Sequence, residues 1–189
     1  TSLGYNSGRL KKGWGFTLAS SYKKGNGYVD ETWTNGFFYY GKIQKELGSH
    51  IVSLSAMGAP QKHGQRSYKS DIATYDTAFA RLLGDTSDFK NKIINKGVTY
   101  NKHWGYLDRW TINTSGDTIH DHEILNTKQN YYHKPQFALR DFWTVNDKFY
   151  ISNIVYASLG NGGGTSMKSN SYDQDGQNNL QENYDNNIA

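Results

Sequence analysis

The stretch Phe37-Phe38-Tyr39-Tyr40-Gly41-Lys42-Ile43-Gln44-Lys45-Glu46-Leu47-Gly48-Ser49-His50-Ile51-Val52-Ser53-Leu54-Ser55-Ala56-Met57-Gly58 decides the fold class. Phe37, Tyr39, Ile43 and Leu47 fall on one side of a period-two pattern; Tyr40, Lys42, Gln44 and Glu46 fall on the other. After the turn at Gly48-Ser49-His50, Val52, Leu54 and Ala56 oppose Ser53 and Ser55. Successive side chains of a strand point to opposite faces, so this is an antiparallel hairpin with one apolar and one wet face. A one-residue slip would move Lys42, Gln44 and Glu46 to the apolar side, which pins the register.

The same rhythm extends outward. Trp14, Phe16, Leu18 and Tyr22 alternate with Gly15, Thr17, Ser21 and Lys23. Residues Phe137–Thr144 and Phe149–Leu159 form another hairpin around Asn146-Asp147-Lys148. Its facing stays open, because Arg140-Asp141 interrupts one strand and Asn153 the other. The connections alternate in length. Short ones lie at Leu10-Lys11-Lys12-Gly13, Gly48-Ser49-His50 and Asn146-Asp147-Lys148; long ones run from Gly25 to Asn35 and from about Ala59 to Pro135. An outer-membrane barrel has such an asymmetry, with short periplasmic turns and long extracellular loops. The expected fold is therefore all-β: an antiparallel up-and-down transmembrane β-barrel segment of about six strands, with long extracellular loops. A short helix is expected in the longest loop. Ile72, Tyr75, Phe79, Leu82 and Leu83 recur at near-helical spacing, Ser70 or Asp71 can cap the start, and Gly84 can end it.

Composition bounds the reading without deciding it. Among 189 residues 35% are apolar and 15% aromatic, with fifteen Tyr against two Met. Sparse aliphatics with many Tyr, Trp and Gly fit a wall banded by aromatics at its membrane interfaces. They fit a soluble, Tyr-rich glycan-binding β domain equally well. The absence of cysteine excludes a disulfide framework and thiolate metal sites. The net charge of +4 is spread without a basic block, so no nucleic-acid partner is expected. No apolar run approaches the roughly 18 residues of a membrane helix. The chain starts without an initiating Met or a signal-like apolar core and ends in Asn and Gln. It reads as residues 1–164 of barrel wall followed by a polar loop or tail at 165–189, with plug and signal peptide outside it.

Several stretches carry a resemblance. Gly58-Ala59-Pro60-Gln61-Lys62-His63-Gly64-Gln65-Arg66 directly follows a strand, and Gly13-Trp14-Gly15-Phe16 follows a turn. Gly25-Asn26-Gly27-Tyr28-Val29 forms a loop tip, and Tyr100-Asn101-Lys102-His103-Trp104-Gly105-Tyr106 lies in the long insertion. His133-Lys134-Pro135-Gln136 enters a strand and Asn161-Gly162-Gly163-Gly164 leaves one. In order and spacing these pieces resemble TonB-dependent outer-membrane receptors of the Bacteroidetes. The resemblance implies a barrel fragment of an outer-membrane importer whose lumen is filled by a plug. It implies contact with the TonB complex through that missing plug, a surface lipoprotein partner, and a bilayer bearing lipopolysaccharide. The alternatives are a non-transporting barrel subunit of a larger complex and the soluble glycan-binding domain.

Candidate sites are few. Trp104, Tyr106, Trp110, Tyr131 and Tyr132 lie in or beside the insertion and can stack on a ligand or pack the loop. His120-Asp121-His122-Glu123 offers imidazole and carboxylate donors close together, but it reads as solvent-exposed polar residues, so no metal is expected. Asn161-Gly162-Gly163-Gly164 lacks the lysine and helix of a phosphate loop and reads as a loop tip. Asn113-Thr114-Ser115 matches a glycosylation acceptor by chance. No nucleophile elbow or other catalytic motif appears, so neither enzymatic activity nor a cofactor is expected.

Overall fold

The computed structural model describes residues 1–66 and 69–166. The strands are β1 (Ser2–Asn6), β2 (Trp14–Asn26), β3 (Trp33–Leu47), β4 (His50–Gly58), β5 (Gln61–Gly64), β6 (Trp104–Ile112), β7 (Thr118–Asn126), β8 (Gln129–His133), β9 (Gln136–Asn146), β10 (Phe149–Ser158) and β11 (Asn161–Gly164). Two short helices, α1 (Ile72–Tyr75) and α2 (Thr77–Leu82), fall between β5 and β6. The chain is thus predominantly β, and no closed barrel forms among the described residues. It divides into two units. The first is Thr1–Gly25, Thr34–Lys62 and Tyr131–Gly163; the second is Asn26–Trp33, His63–Asn130 and the segment from Gly164.

The first unit is an antiparallel meander. Strand β1 pairs with β2, β2 with β3, β3 with β4, β4 with β9 and β9 with β10. Strands β5, β8 and β11 continue β4, β9 and β10 in the same register. The Phe37 N–H donates to Pro60 O at 2.9 Å and the Leu159 N–H to Pro135 O at 3.1 Å. Both prolines therefore sit inside the ladder, where a proline accepts but returns no donor. The insertion is accordingly shorter than 59–135, because residues 61–64 and 129–133 belong to strands. Asn161-Gly162-Gly163-Gly164 is likewise strand β11 and not a loop tip. Those glycines leave room for neighbouring rings: a Cβ on Gly163 would lie 2.9 Å from Tyr131 Oη.

The pairing settles the facing of every strand in the unit. Ile43, Leu54, Leu139 and Val155 lie in one cross-strand row; Gln44, Ser53, Arg140 and Ile154 lie in the adjacent row on the opposite face. The interrupted hairpin is resolved in the same way, with Arg140 joining the polar face and Asp141 the apolar one. There Asp141 is answered by His50, whose Nδ1 lies 2.9 Å from Asp141 Oδ1 while its ring stacks on Trp143 at 5.3 Å. On the central strands the apolar side is the more open one: Leu54 is 53% exposed, whereas Ser53 on the other face is 5% exposed. Strand β10 is open on both faces, with Ile154 53% and Val155 69% exposed.

The second unit holds the apolar side chains that are buried. Leu107, Ala73 and Ala80 are its core, accompanied by Asn101, His103, Asn126 and Thr127. Strands β6 and β7 pair as a hairpin. The single helix expected from spacing is instead two, broken at Asp76, whose extended backbone (φ −156°) lets its carboxylate accept from Phe79 N–H at 3.0 Å and cap α2. Ala73 and Ala80 face inward while Ile72, Phe79, Leu82 and Leu83 are exposed, so the large residues mark the outer side. The carbonyls of Ala73, Thr74 and Tyr75 are satisfied by the N–H groups of Asn95, Lys96 and Gly97, which replaces the missing helical turns.

Candidate functional site

Three of the five aromatic candidates come together. The β6–β7 register places Trp104, Tyr106, Asp108 and Trp110 on one face of the hairpin, with Ile124, His122 and His120 across from the last three. Trp104 meets Tyr106 edge-on at 5.7 Å, and Tyr106 stacks on His122 at 4.9 Å. His122 Nδ1 in turn bonds Asp108 Oδ1, which fixes the imidazole against the tyrosine. The opposite hairpin face carries buried Leu107 and the Arg109–Glu123 ion pair at 3.5 Å. Leucine inward and aromatic outward leaves Tyr106 and Trp110 half to two-thirds exposed. Such a surface can stack flat or CH-rich ligand faces, with the carboxylate and imidazole as hydrogen-bonding edges.

The remaining two candidates do not join them. Tyr131 and Tyr132 belong to the first unit, on strand β8, and successive positions put them on opposite faces. The His120–Glu123 run is also split, with His120 and His122 on the aromatic face and Asp121 and Glu123 behind it. Among the described residues no three donors gather as a metal site would need.

Two features went unread in the sequence. The polar face of the meander holds a cavity of about 390 Å³ lined by Tyr40, Lys42, Ser53, Ser55, Gln136, Arg140 and Tyr156, with Met57, Ala138 and Ile154. Its walls come from four neighbouring strands, and its charges are the cations Lys42 and Arg140 with no carboxylate among the lining residues. That chemistry suits a hydroxyl-rich or anionic solute, because serine, tyrosine and glutamine donate while the cations offset negative charge. Only the alternation of Lys42, Ser53 and Ser55 announced it; the contribution of Arg140 depends on a strand pairing that spans the insertion.

The second feature is on the apolar face. There Tyr39 Oη lies 2.9 Å from His133 Nε2, and the two rings meet edge-on at 5.8 Å above Gly58. A Cβ on Gly58 would come within 2.8 Å of His133 Nε2, so the glycine is what admits the pair. Beyond it lies a groove of about 470 Å³ lined by Asn35, Phe37, Pro60, Lys62, Tyr131, His133 and Asn161, floored by Gly36, Gln61 and Tyr132. The chain matches no protein-family model, and neither a curated protein nor a solved structure is similar to it.

Proposed function

We propose that this chain is a wall segment of an outer-membrane barrel, and that the barrel is an importer of the TonB-dependent receptor class. The observation that carries the wall is the accessibility of the central strands: Ile43 and Leu54 on the apolar side lie open while Ser53 on the other face is buried and Lys42 and Gln44 are half-buried. A soluble sheet turns these faces the other way. Along the apolar face the chemistry is banded. A row of Leu47, His50, Trp143 and Ile151 comes first, then the row of Trp14, Lys45, Asp141 and Asn153, then rows built on Ile43, on Gly41 and Phe137, and on Tyr39. Phe37, His133 and Asn161 begin the polar end. Five two-residue steps of about 6.8 Å, tilted by about 40°, span roughly 26 Å, close to the apolar height of such a barrel.

The importer part rests on the resemblance of the motif stretches and on the lumenal cavity, whose cations and hydroxyls suit passage or capture of a hydrophilic solute. In this reading the turns near Lys12, Ser49 and Asp147 face the periplasm and the aromatic hairpin faces outside. The absence of native cysteine allows a direct test. In intact cells a membrane-impermeant maleimide should label Asp117→Cys, and Asp147→Cys only after permeabilisation. The reverse pattern would invert the orientation, and labelling of a protein extracted without detergent would remove the wall reading. Abolition of uptake by collapse of the proton-motive force separates the importer from a passive barrel.

A further inference from the structure

Resting on the importer reading, whose solute it names by class, we propose that the recess on the polar face of the meander is a seat for a sugar acid, a pyranose-sized ring bearing a carboxylate beside its hydroxyls. The recess spans three consecutive cross-strand rows. Ser53 and Arg140 lie in the first, Lys42 and Tyr156 in the second, Tyr40 and Gln136 in the third. Two row steps of about 6.8 Å and three strand spacings of about 4.8 Å frame a patch of roughly 14 by 14 Å. With a volume of about 390 Å³ it holds one such ring and its substituents.

Three polar groups of the recess lack partners. Ser53 is 5% exposed, yet its hydroxyl has no hydrogen-bond partner among the described residues. Neither Lys42 nor Arg140 forms an ion pair or side-chain hydrogen bond among them. On strands β3, β4, β9 and β10 the one carboxylate of this face is Glu46, a row outside the recess, and Arg9 holds it at 2.5 Å. Lys42 on β3 and Arg140 on β9 flank Ser53 on β4, so two unanswered cations straddle a buried, unanswered hydroxyl. Such a set specifies negative charge together with hydrogen-bonding oxygens, and the guanidinium fork matches a carboxylate. The rest of the lining decides against a bare anion. Met57, Ala138 and Ile154, with the rings of Tyr40 and Tyr156, offer a surface for the C–H face of a sugar, which a small inorganic anion lacks. A neutral sugar would leave both cations unanswered.

The test titrates the intact protein in detergent micelles by calorimetry with D-galacturonate, D-glucuronate, D-galactose and inorganic phosphate. At least one of the two sugar acids should bind about tenfold more tightly than galactose or phosphate. Arg140→Gln and Lys42→Gln should each weaken that binding about tenfold, with strand content by circular dichroism unchanged. Lys148→Gln, in the β9–β10 turn outside the recess, removes the same charge and should leave binding as it is. Galactose binding as tightly as the acids would overturn the charge assignment, and phosphate doing so would mark a plain anion site and overturn the sugar. Binding of neither acid, or equal binding in wild type and both folded cation variants, would overturn the seat. Binding in micelles needs no proton-motive force. Failure of the seat with energised uptake intact therefore leaves the importer reading standing, whereas binding without energised uptake keeps the seat and overturns the importer.

Discussion

The meander and the insertion solve the problem of burial in opposite ways. In the meander the ladder is continuous, the apolar side chains stand open and the recessed side chains are polar. In the insertion the ladder is limited to one hairpin, and a small core of Leu107, Ala73 and Ala80 is enclosed with buried polar groups. There side chains do what strand pairing does elsewhere. Asn101 Nδ2 donates to Asp30 O at 2.9 Å while its Oδ1 accepts from His103 N–H at 3.0 Å. Asn126 Nδ2 donates to Glu31 O at 2.8 Å, and Thr127 closes on His103 O through both N–H and hydroxyl. Arg66 ties the carbonyls of Val98 and Tyr100 while lying over the Tyr75 ring at 5.2 Å. On the proposed wall reading lipid covers the open rows and no further core is needed there, whereas a long loop in water must either build one or stay unordered.

The sharpest way to break this contrast is to exchange the polarity of neighbouring positions. Ile43→Arg places a charge in the middle of the open apolar rows and should cost about 2–4 kcal/mol of assembly if lipid covers them. Gln44→Arg, one residue away on the recessed face, should be tolerated. Urea titration of the protein folded into detergent micelles or bilayers reads both. Equal penalties at 43 and 44 would mean that the two faces see the same medium, and the contrast would collapse.

The next effect belongs to the insertion. Asn101 is fully buried and serves two backbone groups at once, so Asn101→Ala leaves both unsatisfied and should cost about 1–3 kcal/mol. The loss should be confined to the second unit. Limited proteolysis should cut faster between residues 69 and 103 while the meander keeps its strand signal. Simultaneous loss of both would show that the two regions fold as one and that the division is only geometric.

A comparable penalty is expected inside the meander at Gly58. Gly58→Ala drives a methyl into the Tyr39–His133 pair and should cost about 1–3 kcal/mol by overpacking. Tyr39→Phe combined with Gly58→Ala should not recover it, because the ring still occupies the same space. Recovery in that double variant would place the strain at the hydroxyl alone.

These positions also show what a single chain discloses. Period-two alternation through Phe37–Gly58 exposed the hairpin, its register and the polar face carrying Lys42 and Ser53, since each depends on neighbours in sequence. The pairing of β4 with β9 was out of reach, because the partners are joined only after the insertion, and with it went the place of Arg140 and the facing of Asp141. The insertion read as about Ala59 to Pro135 was too long at both ends, because the sequence cannot tell that the chain resumes its ladder past Pro60 and before Pro135. In the insertion, large apolar residues at helical spacing pointed to a single helix with an apolar face, while Asp76 broke it and alanines took the inside. The aromatic trio Trp104, Tyr106 and Trp110 was legible because one strand carries it; Tyr131 and Tyr132 were grouped with it by proximity in sequence alone.

The smallest effect tests the boundary of the insertion's own chemistry. Past α2, Asp85 is held below the ordinary carboxylate pKa, first by the Ser87 hydroxyl, then by the Ser87 N–H at 2.8 Å, with Lys92 and Arg81 adding favourable charge. A depressed folded-state pKa contributes stability above the unfolded value, and that contribution is lost as pH falls through the folded one. The window therefore opens below about pH 4. Asp85 lies at the surface, so the consequence is local ordering of the turn at residues 85–88 and not global stability. Ser87→Ala removes the leading cause and should return the Asp85 titration toward the ordinary value, read by carboxyl carbon NMR. Proteolysis at this turn should then be faster in Ser87→Ala than in the wild type at about pH 6, and the wild type's advantage should shrink as pH falls below about 4. An unchanged titration in Ser87→Ala would assign the shift to the backbone N–H of residue 87 together with Lys92 and Arg81, and an altered meander would show that the turn is not confined to the second unit.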